Sequence, residues 1–322
     1  MKQFLIIQTA FLGDVILCTP VLSELKRIYP DCKIDVVVRK GNEGLLQHHP
    51  AVRTIITWNK AQHKYRNLLK TIRQVRKTQY DEVINLQRFT SAGLILLMSK
   101  AKTKIGFDKN KFQFAYTFCV PHIIKEGVHE VNRNLSTIQH HNAAQHVRPS
   151  LFPSAEDEEK VAPLMKGTYY CIAPASVWFT KQVPEEKWEN LIALLAPKGT
   201  VYLIGAPNDY ALAERLKGTN TSVVNLCGQL SLLQSAALMR NATMNYVNDS
   251  GPLHLASAVN APTRAYFCST VPSFGFGPLS ADSKIISTPE QLDCRPCGLH
   301  GYTSCPKKHF KCGMGLVMEE DM

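Results

Sequence analysis

Short apolar runs alternate with helical periodicities along the whole chain. Residues 4–8 (Phe-Leu-Ile-Ile-Gln) read as a buried strand. From 14 to 28 the apolar positions recur with a helical period, and Pro20 predicts a kink or a restart. Residues 34–38 and 54–57 are β-branched and read as strands. Leu68, Leu69, Ile72 and Val75 form a helical apolar stripe inside a basic stretch. Strand 82–86, helix 92–100 and short strands at 104–107 and 117–120 follow. This alternation predicts a parallel sheet with right-handed crossovers.

Residues 146–159 interrupt the pattern. Arg148-Pro149-Ser150-Leu151-Phe152-Pro153-Ser154 is rich in turn formers, and 155–160 is acidic. A boundary here divides the chain into domains 1–150 and 151–322. The alternation then restarts: strand 169–173, a loop 174–182, and a helix opened by Pro184 in the favoured first-turn position. Strands at 201–204, 223–226, 244–247 and 265–268 and a helix at 231–241 complete it. The fold class is therefore α/β, with two Rossmann-like doubly wound domains. In such sheets ligands bind beyond the carboxyl ends of the strands. Loops 174–181, 205–209, 227–230 and 248–254 meet that description and are expected to line one crevice, and loop 9–14, between strand and helix in the first half, is expected to face it.

Composition narrows the class. Of 322 residues, 45% are hydrophobic and 20% charged, as in globular chains. No apolar run has membrane-spanning length, and the opening Met-Lys-Gln-Phe-Leu-Ile-Ile-Gln is too short for a signal peptide. A cytoplasmic protein is expected, with its ten cysteines as thiols or metal ligands. The net charge of +11 suits an anionic partner. Much of it lies at 60–77, where Lys60, Lys64, Arg66, Lys70, Arg73, Arg76 and Lys77 flank the apolar stripe. A solvated outer face is the plain expectation for this helix. Contact with an anionic membrane surface is the functional one.

The most informative stretch is Asn248-Asp249-Ser250-Gly251-Pro252-Leu253-His254. A strand ends there and a helix opens, with Asp249 or Ser250 as its cap. The free N–H groups of such a helix start favour an anion such as a phosphate. Neither this loop nor Thr9-Ala10-Phe11-Leu12-Gly13-Asp14 is a Gly-x-Gly-x-x-Gly or Walker fingerprint. A dehydrogenase or a P-loop ATPase is therefore disfavoured.

Five segments together resemble glycosyltransferase family 9, the heptosyltransferases of lipopolysaccharide core assembly. They are Leu12-Gly13-Asp14-Val15-Ile16-Leu17-Cys18-Thr19-Pro20, Thr180-Lys181-Gln182-Val183-Pro184-Glu185-Glu186-Lys187-Trp188, Gly205-Ala206-Pro207, residues 248–256, and the cysteine-rich tail. The resemblance implies the two-domain GT-B architecture, with an acceptor-side first domain and a nucleotide-sugar-binding second domain. It implies inverting transfer of a heptose from ADP-L-glycero-D-manno-heptose to a Kdo-containing lipid A acceptor, peripherally at the cytoplasmic face of the inner membrane. By that resemblance Asp14 is the catalytic base, with Gly13 beside it on the acceptor side. Lys181 and Ser176 contact donor phosphate oxygens, Asp209 the ribose hydroxyls and Leu230 the adenine. Asp249 lies near the donor sugar, and Ser250, Gly251 and His254 hold the diphosphate. Val177 stands where some members carry a second hydroxyl. No cofactor, no catalytic metal and no nucleic-acid partner are implied.

The chemistry suits these residue types. An ADP-sugar carries a good leaving group, so the protein must activate a hydroxyl and neutralise charge building on the diphosphate. Lys181 and the helix start at Ser250-Gly251 supply the second, and Asp14 the first. A helix N-terminus lowers a carboxylate's pKa and makes it a weaker base, so Asp14 needs partial burial or a nearby acid to offset this. A plain N-cap is the alternative for Asp14. Two other classes stay open: a related transferase with another nucleotide sugar, and a binding protein that keeps the fold without turnover.

Cys294-Arg295-Pro296-Cys297, Cys305 and Cys312 have a spacing that fits a structural zinc, and a zinc ribbon on a basic chain also fits a nucleic-acid binder. Arg295, Lys307 and Lys308 equally suit a phosphorylated acceptor. Trp58, Trp178 and Trp188 are expected to pack, Trp178 with access to the donor loop. His48-His49 and His140-His141 lack a spaced partner and are expected on the surface. Cysteines 18, 32, 119, 171, 227 and 268 are expected as small core residues.

Overall fold

The computed structural model describes residues 1–318. The chain divides into two compact units, the first Met1–Phe152 and the second from Pro153 onward. In the first, β1 (Gln3–Gln8), β2 (Lys33–Arg39), β3 (Val52–Trp58), β4 (Tyr80–Asn85), β5 (Ala101–Phe107) and β6 (Phe118–Val120) form one parallel sheet in the order β3-β2-β1-β4-β5-β6. Phe4, Leu5, Ile6 and Ile7 are fully buried, as a central strand covered on both faces requires.

Helix α1 (Leu12–Leu17) stops at Cys18, and α2 (Thr19–Ile28) restarts with Pro20 in its first turn. Pro20 therefore marks a restart, because its ring and missing N–H are tolerated only there. Helices α3 (Lys64–Val75), α4 (Thr90–Met98) and α5 (Glu130–Ser136) complete the layers. Trp58, Leu68, Ile72 and Val75 pack with Leu5, Ile7 and Val83 in the core. Leu69, expected in the α3 stripe, is exposed together with the helix's basic residues.

The second unit opens with α6 (Ala155–Val161), where the sequence pattern predicted only a boundary. A capping box starts it: Asp157 N donates to Ser154 Oγ at 3.2 Å, and Ser154 N to Asp157 Oδ2 at 3.0 Å. Then come β7 (Tyr169–Ala173), α7 (Glu185–Leu195), β8 (Thr200–Leu203), α8 (Tyr210–Lys217), β9 (Val223–Asn225), α9 (Leu232–Arg240), β10 (Met244–Asn248), α10 (Gly251–Ala258), β11 (Thr263–Phe267) and β12 (Ser283–Ser287). All six strands are parallel, in the order β12-β11-β10-β7-β8-β9. Relative to its own first strand, this is the order of the first sheet. Trp188 is fully buried and meets Tyr266 edge-on at 5.3 Å. A one-turn helix, α11 (Lys311–Met314), lies in the tail.

Two surface expectations are overturned. His49 is buried, and so is the His141 side chain, at 6% exposure. Conversely Cys119, expected in the core, is exposed on the short edge strand β6.

Candidate active site

Each sheet has one topological switch point, where successive connections leave in opposite directions. It falls between β1 and β4 in the first unit and between β7 and β10 in the second. Loops leaving the carboxyl ends of those strands form the natural ligand site of such a sheet. Asp14 follows β1, while loop 174–182 follows β7 and Asp249 follows β10.

In the first unit Phe11, not Asp14, holds the N-cap position of α1, and no side chain caps it. Asp14 is partly buried in the first turn, next to Gly13. Burial pushes its carboxyl up to about 7, and the neighbouring Glu130 carboxyl adds to this. The N–H groups of Asp14 and Phe11 and the Arg88 guanidinium pull the other way and are outweighed. The two offsets that a base at a helix start requires, burial and a nearby acid, are thus both present. Glu130 is itself buried on α5, where Arg133 Nε donates to its Oε2 at 2.7 Å.

Lys60 precedes α3 rather than belonging to it, and turns inward. Its Nζ donates to the Thr9 carbonyl at 2.5 Å and lies 4.7 Å from the Trp58 ring centre. Burial, reinforced by Arg39 and Lys64, brings its pKa down to about 8. Asn42 Nδ2 donates to Ala10 O at 3.0 Å from another direction. The loop before Asp14 is therefore pinned twice.

In the second unit Asn248 joins the two switch-point loops. Val183 N donates to its Oδ1 at 3.1 Å, and its Nδ2 donates to Pro174 O at 2.7 Å. The next residue, Asp249, is buried and accepts twice on Oδ2: from Lys181 Nζ at 2.7 Å and from Thr270 Oγ1 at 2.6 Å. Ser250 is the N-cap of α10 but makes no side-chain capping bond; its Oγ lies 3.4 Å from Asn248 O. Gly251 and Pro252 follow in the first turn, and the His254 ring is buried at the helix start with Phe276 6.2 Å away. Lys181, Asp249, Ser250, Gly251 and His254 thus belong to one neighbourhood, where a fixed cation lies beside helix N–H groups that no side chain caps.

Ser176 lies in the loop after β7, which Gln182 Nε2 closes by donating to the Ser176 carbonyl at 2.6 Å. Asp209 holds its own turn, accepting from Ala206 N at 2.7 Å. Leu230 is partly buried after β9, and Gly228 N donates to Gly205 O at 2.9 Å, tying the loop after β9 to that after β8.

Sequence reading missed Thr270, Glu130 and the inward turn of Lys60, and it missed what the tail does. Tyr302 N donates to Thr180 Oγ1 at 2.8 Å, Cys297 N to Ser269 O at 2.8 Å, and Arg295 Nη2 to Thr270 O at 3.0 Å. Gly301 has φ +77°, and a Cβ there would come within 2.8 Å of Thr180 Oγ1. The tail therefore buttresses the residues flanking Lys181 and Asp249. Its cysteines are free thiols, with Cys294 Sγ 3.9 Å from His309 Nε2. They do not form a close metal-ligand group among the described residues.

Residues 68–302 match the model of "Glycosyltransferase family 9 (heptosyltransferase)". The chain is 29% identical over 280 residues to lipopolysaccharide heptosyltransferase 3 of Escherichia coli, covering 81% of this chain and 82% of that one. It superposes on E. coli ADP-heptose lps heptosyltransferase II with a TM-score of 0.79 at 19% identity, over 97% of each chain. With E. coli heptosyltransferase WaaC bound to ADP-2-deoxy-2-fluoro heptose the TM-score is 0.73 at 24% identity, over 89% of this chain and 94% of that one. With a switch-point carboxylate in one Rossmann-like unit and a lysine at an open helix start in the other, the chain belongs to glycosyltransferase family 9, the heptosyltransferases.

Proposed function

We propose that this protein is an inverting transferase that moves heptose from ADP-L-glycero-D-manno-heptose to a hydroxyl of a Kdo-containing lipopolysaccharide inner-core acceptor. The observation that carries this reading is the Lys181–Asp249 pair at the uncapped start of α10. There Asp249 holds the Lys181 ammonium beside the free helix N–H groups, and these together suit the negative charge that builds on a diphosphate leaving group. The relatives' names and the ADP-sugar bound to the WaaC structure support the donor class.

Asp14 takes the proton of the acceptor hydroxyl. That oxygen bonds to the anomeric carbon as the bond to the β-phosphate oxygen breaks on the opposite face, and ADP departs. Lys181 then turns part of its charge from Asp249 to a phosphate oxygen, with Ser176, Ser250, Gly251 and His254 around the diphosphate. Asp249 lies at the sugar, Asp209 at the ribose and Leu230 at the adenine. Lys60 and Arg88, in the same unit as Asp14, suit an anionic acceptor. Lysine and helix charge take the role that a divalent ion has elsewhere, so transfer should survive EDTA. Activity abolished by EDTA and restored by magnesium would overturn that part.

Contact with an anionic membrane surface fits α3. Tyr65 and Leu69 are 75% and 54% exposed among the exposed Lys64, Arg66, Lys70 and Arg73. No helix among the described residues is long and apolar enough to cross a membrane. We place the protein peripherally at the cytoplasmic face of the inner membrane. The deciding experiment is calorimetry with ADP and with ADP-heptose, followed by transfer to a Kdo–lipid A acceptor. ADP binding without transfer to any such acceptor would favour a binding protein, and no ADP binding would remove the donor assignment.

A further inference from the structure

The switch-point loops leave the carboxyl end of the first sheet. Toward its amino end a separate group converges. Glu82, opposite Phe4 in the β1–β4 pairing, is buried, and its Oε2 faces two imidazoles. His140 Nε2 lies 3.1 Å away and His141 Nε2 2.9 Å away. The three ligand atoms all lie within 4.8 Å of one another. Consecutive side chains ordinarily diverge; here the one-turn helix Gln139–His141 aims both rings at one carboxylate oxygen.

The surroundings fix these rings. Tyr29 OH bonds to His141 Nδ1 at 3.1 Å and in turn accepts from Lys2 Nζ at 3.0 Å. Tyr29 meets His141 edge-on, and Phe118 stacks on His140. A partner on the far nitrogen is what orients a metal-binding imidazole and sets its tautomer. The His140 side chain is 36% exposed, which gives solvent access and room for a water ligand. Lys2 Nζ, 3.8 Å from Glu82 Oε1, is the one nearby cation in the described ion pairs of this group, and it addresses the other carboxylate oxygen.

We propose that Glu82, His140 and His141 bind one zinc(II) ion, with water completing the shell, and so staple residues 139–141 to the central strands. Two imidazoles and one carboxylate are a ligand set that zinc accepts in tetrahedral geometry. On binding, His141 carries its proton on Nδ1, donating to Tyr29 OH, and Nε2 coordinates the metal.

The test uses the full chain, stripped with chelator and titrated with zinc and with cobalt(II) as a spectroscopic substitute. One equivalent should bind with a cobalt spectrum that lacks a thiolate charge-transfer band, and zinc should raise the melting temperature. His140→Ala, at a half-exposed position that tolerates truncation, should weaken that equivalent by roughly 100-fold or more, and Tyr29→Phe by roughly tenfold. A Cys294→Ser/Cys297→Ser variant should leave it intact. If His140→Ala binds zinc as the parent does, if the only cobalt spectrum is a thiolate one, or if zinc does not move the melting temperature, the trio is a hydrogen-bonded set and the proposal fails.

Discussion

Two acids stand at the switch points of the two units, each after a different one of the two strands that flank it. Asp14 follows the first strand of the first sheet, and Asp249 follows the fourth strand of the second, each at a switch point. Their neighbours differ in sign. Asp14 is enclosed beside another carboxyl, Glu130, and is pushed up to about 7. Asp249 receives Lys181 and Thr270 on one oxygen. A group that must accept a proton near neutral pH gains from enclosure and a like charge. A group that must hold a cation in place gains from direct charge-assisted hydrogen bonds. On the proposed reading, the same fold builds a base in one unit and a charge clamp in the other by choice of the contacting residue.

The sharpest way to break this contrast is Asp14→Asn. Asparagine keeps the shape and loses the basicity, so kcat should fall by roughly 100-fold or more. ADP affinity in calorimetry should hardly change. In the parent, kcat/KM should fall as pH drops through about 7, because the protonated acid cannot serve as base. Stability runs the opposite way. The folded chain keeps the Asp14 proton to about pH 7, whereas the ordinary value is 3.8. That proton's contribution is full below 3.8 and is lost as pH rises to about 7. At pH 8 the asparagine variant should therefore be more stable than the parent by roughly 2 kcal/mol, allowing for solvent screening of a partly exposed group. Near-normal transfer by this variant would remove Asp14 as the base.

The clamp is tested by Lys181→Ala. Loss of a charge-assisted contact to a diphosphate should weaken ADP binding by roughly 10- to 100-fold. The variant also leaves Asp249 without its cation, so Lys181→Ala/Asp249→Asn should refold more readily than Lys181→Ala alone. Unchanged ADP affinity in both would take Lys181 out of the donor site.

Glu130→Gln sharpens the other side. It removes the like charge next to Asp14, so the ascending limb of the kcat/KM profile should move to lower pH by roughly 1 unit. Arg133 loses its buried partner, which costs stability and pulls Asp14 in the same direction. A limb that stays in place would mean that enclosure alone sets the Asp14 value.

How much of this was legible in the sequence depended on range. The strand-turn-helix at 248–254 and the restart at Pro20 are local, and backbone chemistry announces both. Glu82 lies 58 positions from His140, and Glu130 lies far from Asp14 along the chain. No spacing rule joins such residues; only the fold brings them together. Lys60 was hidden by the basic run around it, because charge composition does not say which lysine turns inward. Strand β12 escaped because half-exposed Ser-Lys-Ile-Ile-Ser at a sheet edge lacks the continuous apolar run of a central strand. The tail's cysteine spacing suggested a structural zinc but not that Tyr302 and Arg295 brace the residues beside Lys181 and Asp249.

The smallest expected effect separates the two donors on Asp249. Thr270→Val keeps the volume and branching and removes only the hydroxyl. Asp249 Oδ2 then keeps Lys181 as its donor, and the pair can swing. Neutral donation to a charged oxygen is worth about 1.5 kcal/mol, most of which should appear as lost stability. ADP affinity should fall only a few-fold, since Lys181 still reaches the phosphate. If Thr270→Val weakens ADP as much as Lys181→Ala does, the threonine positions the clamp rather than merely steadying it, and the contrast between a base and a simple ion pair no longer describes the two units.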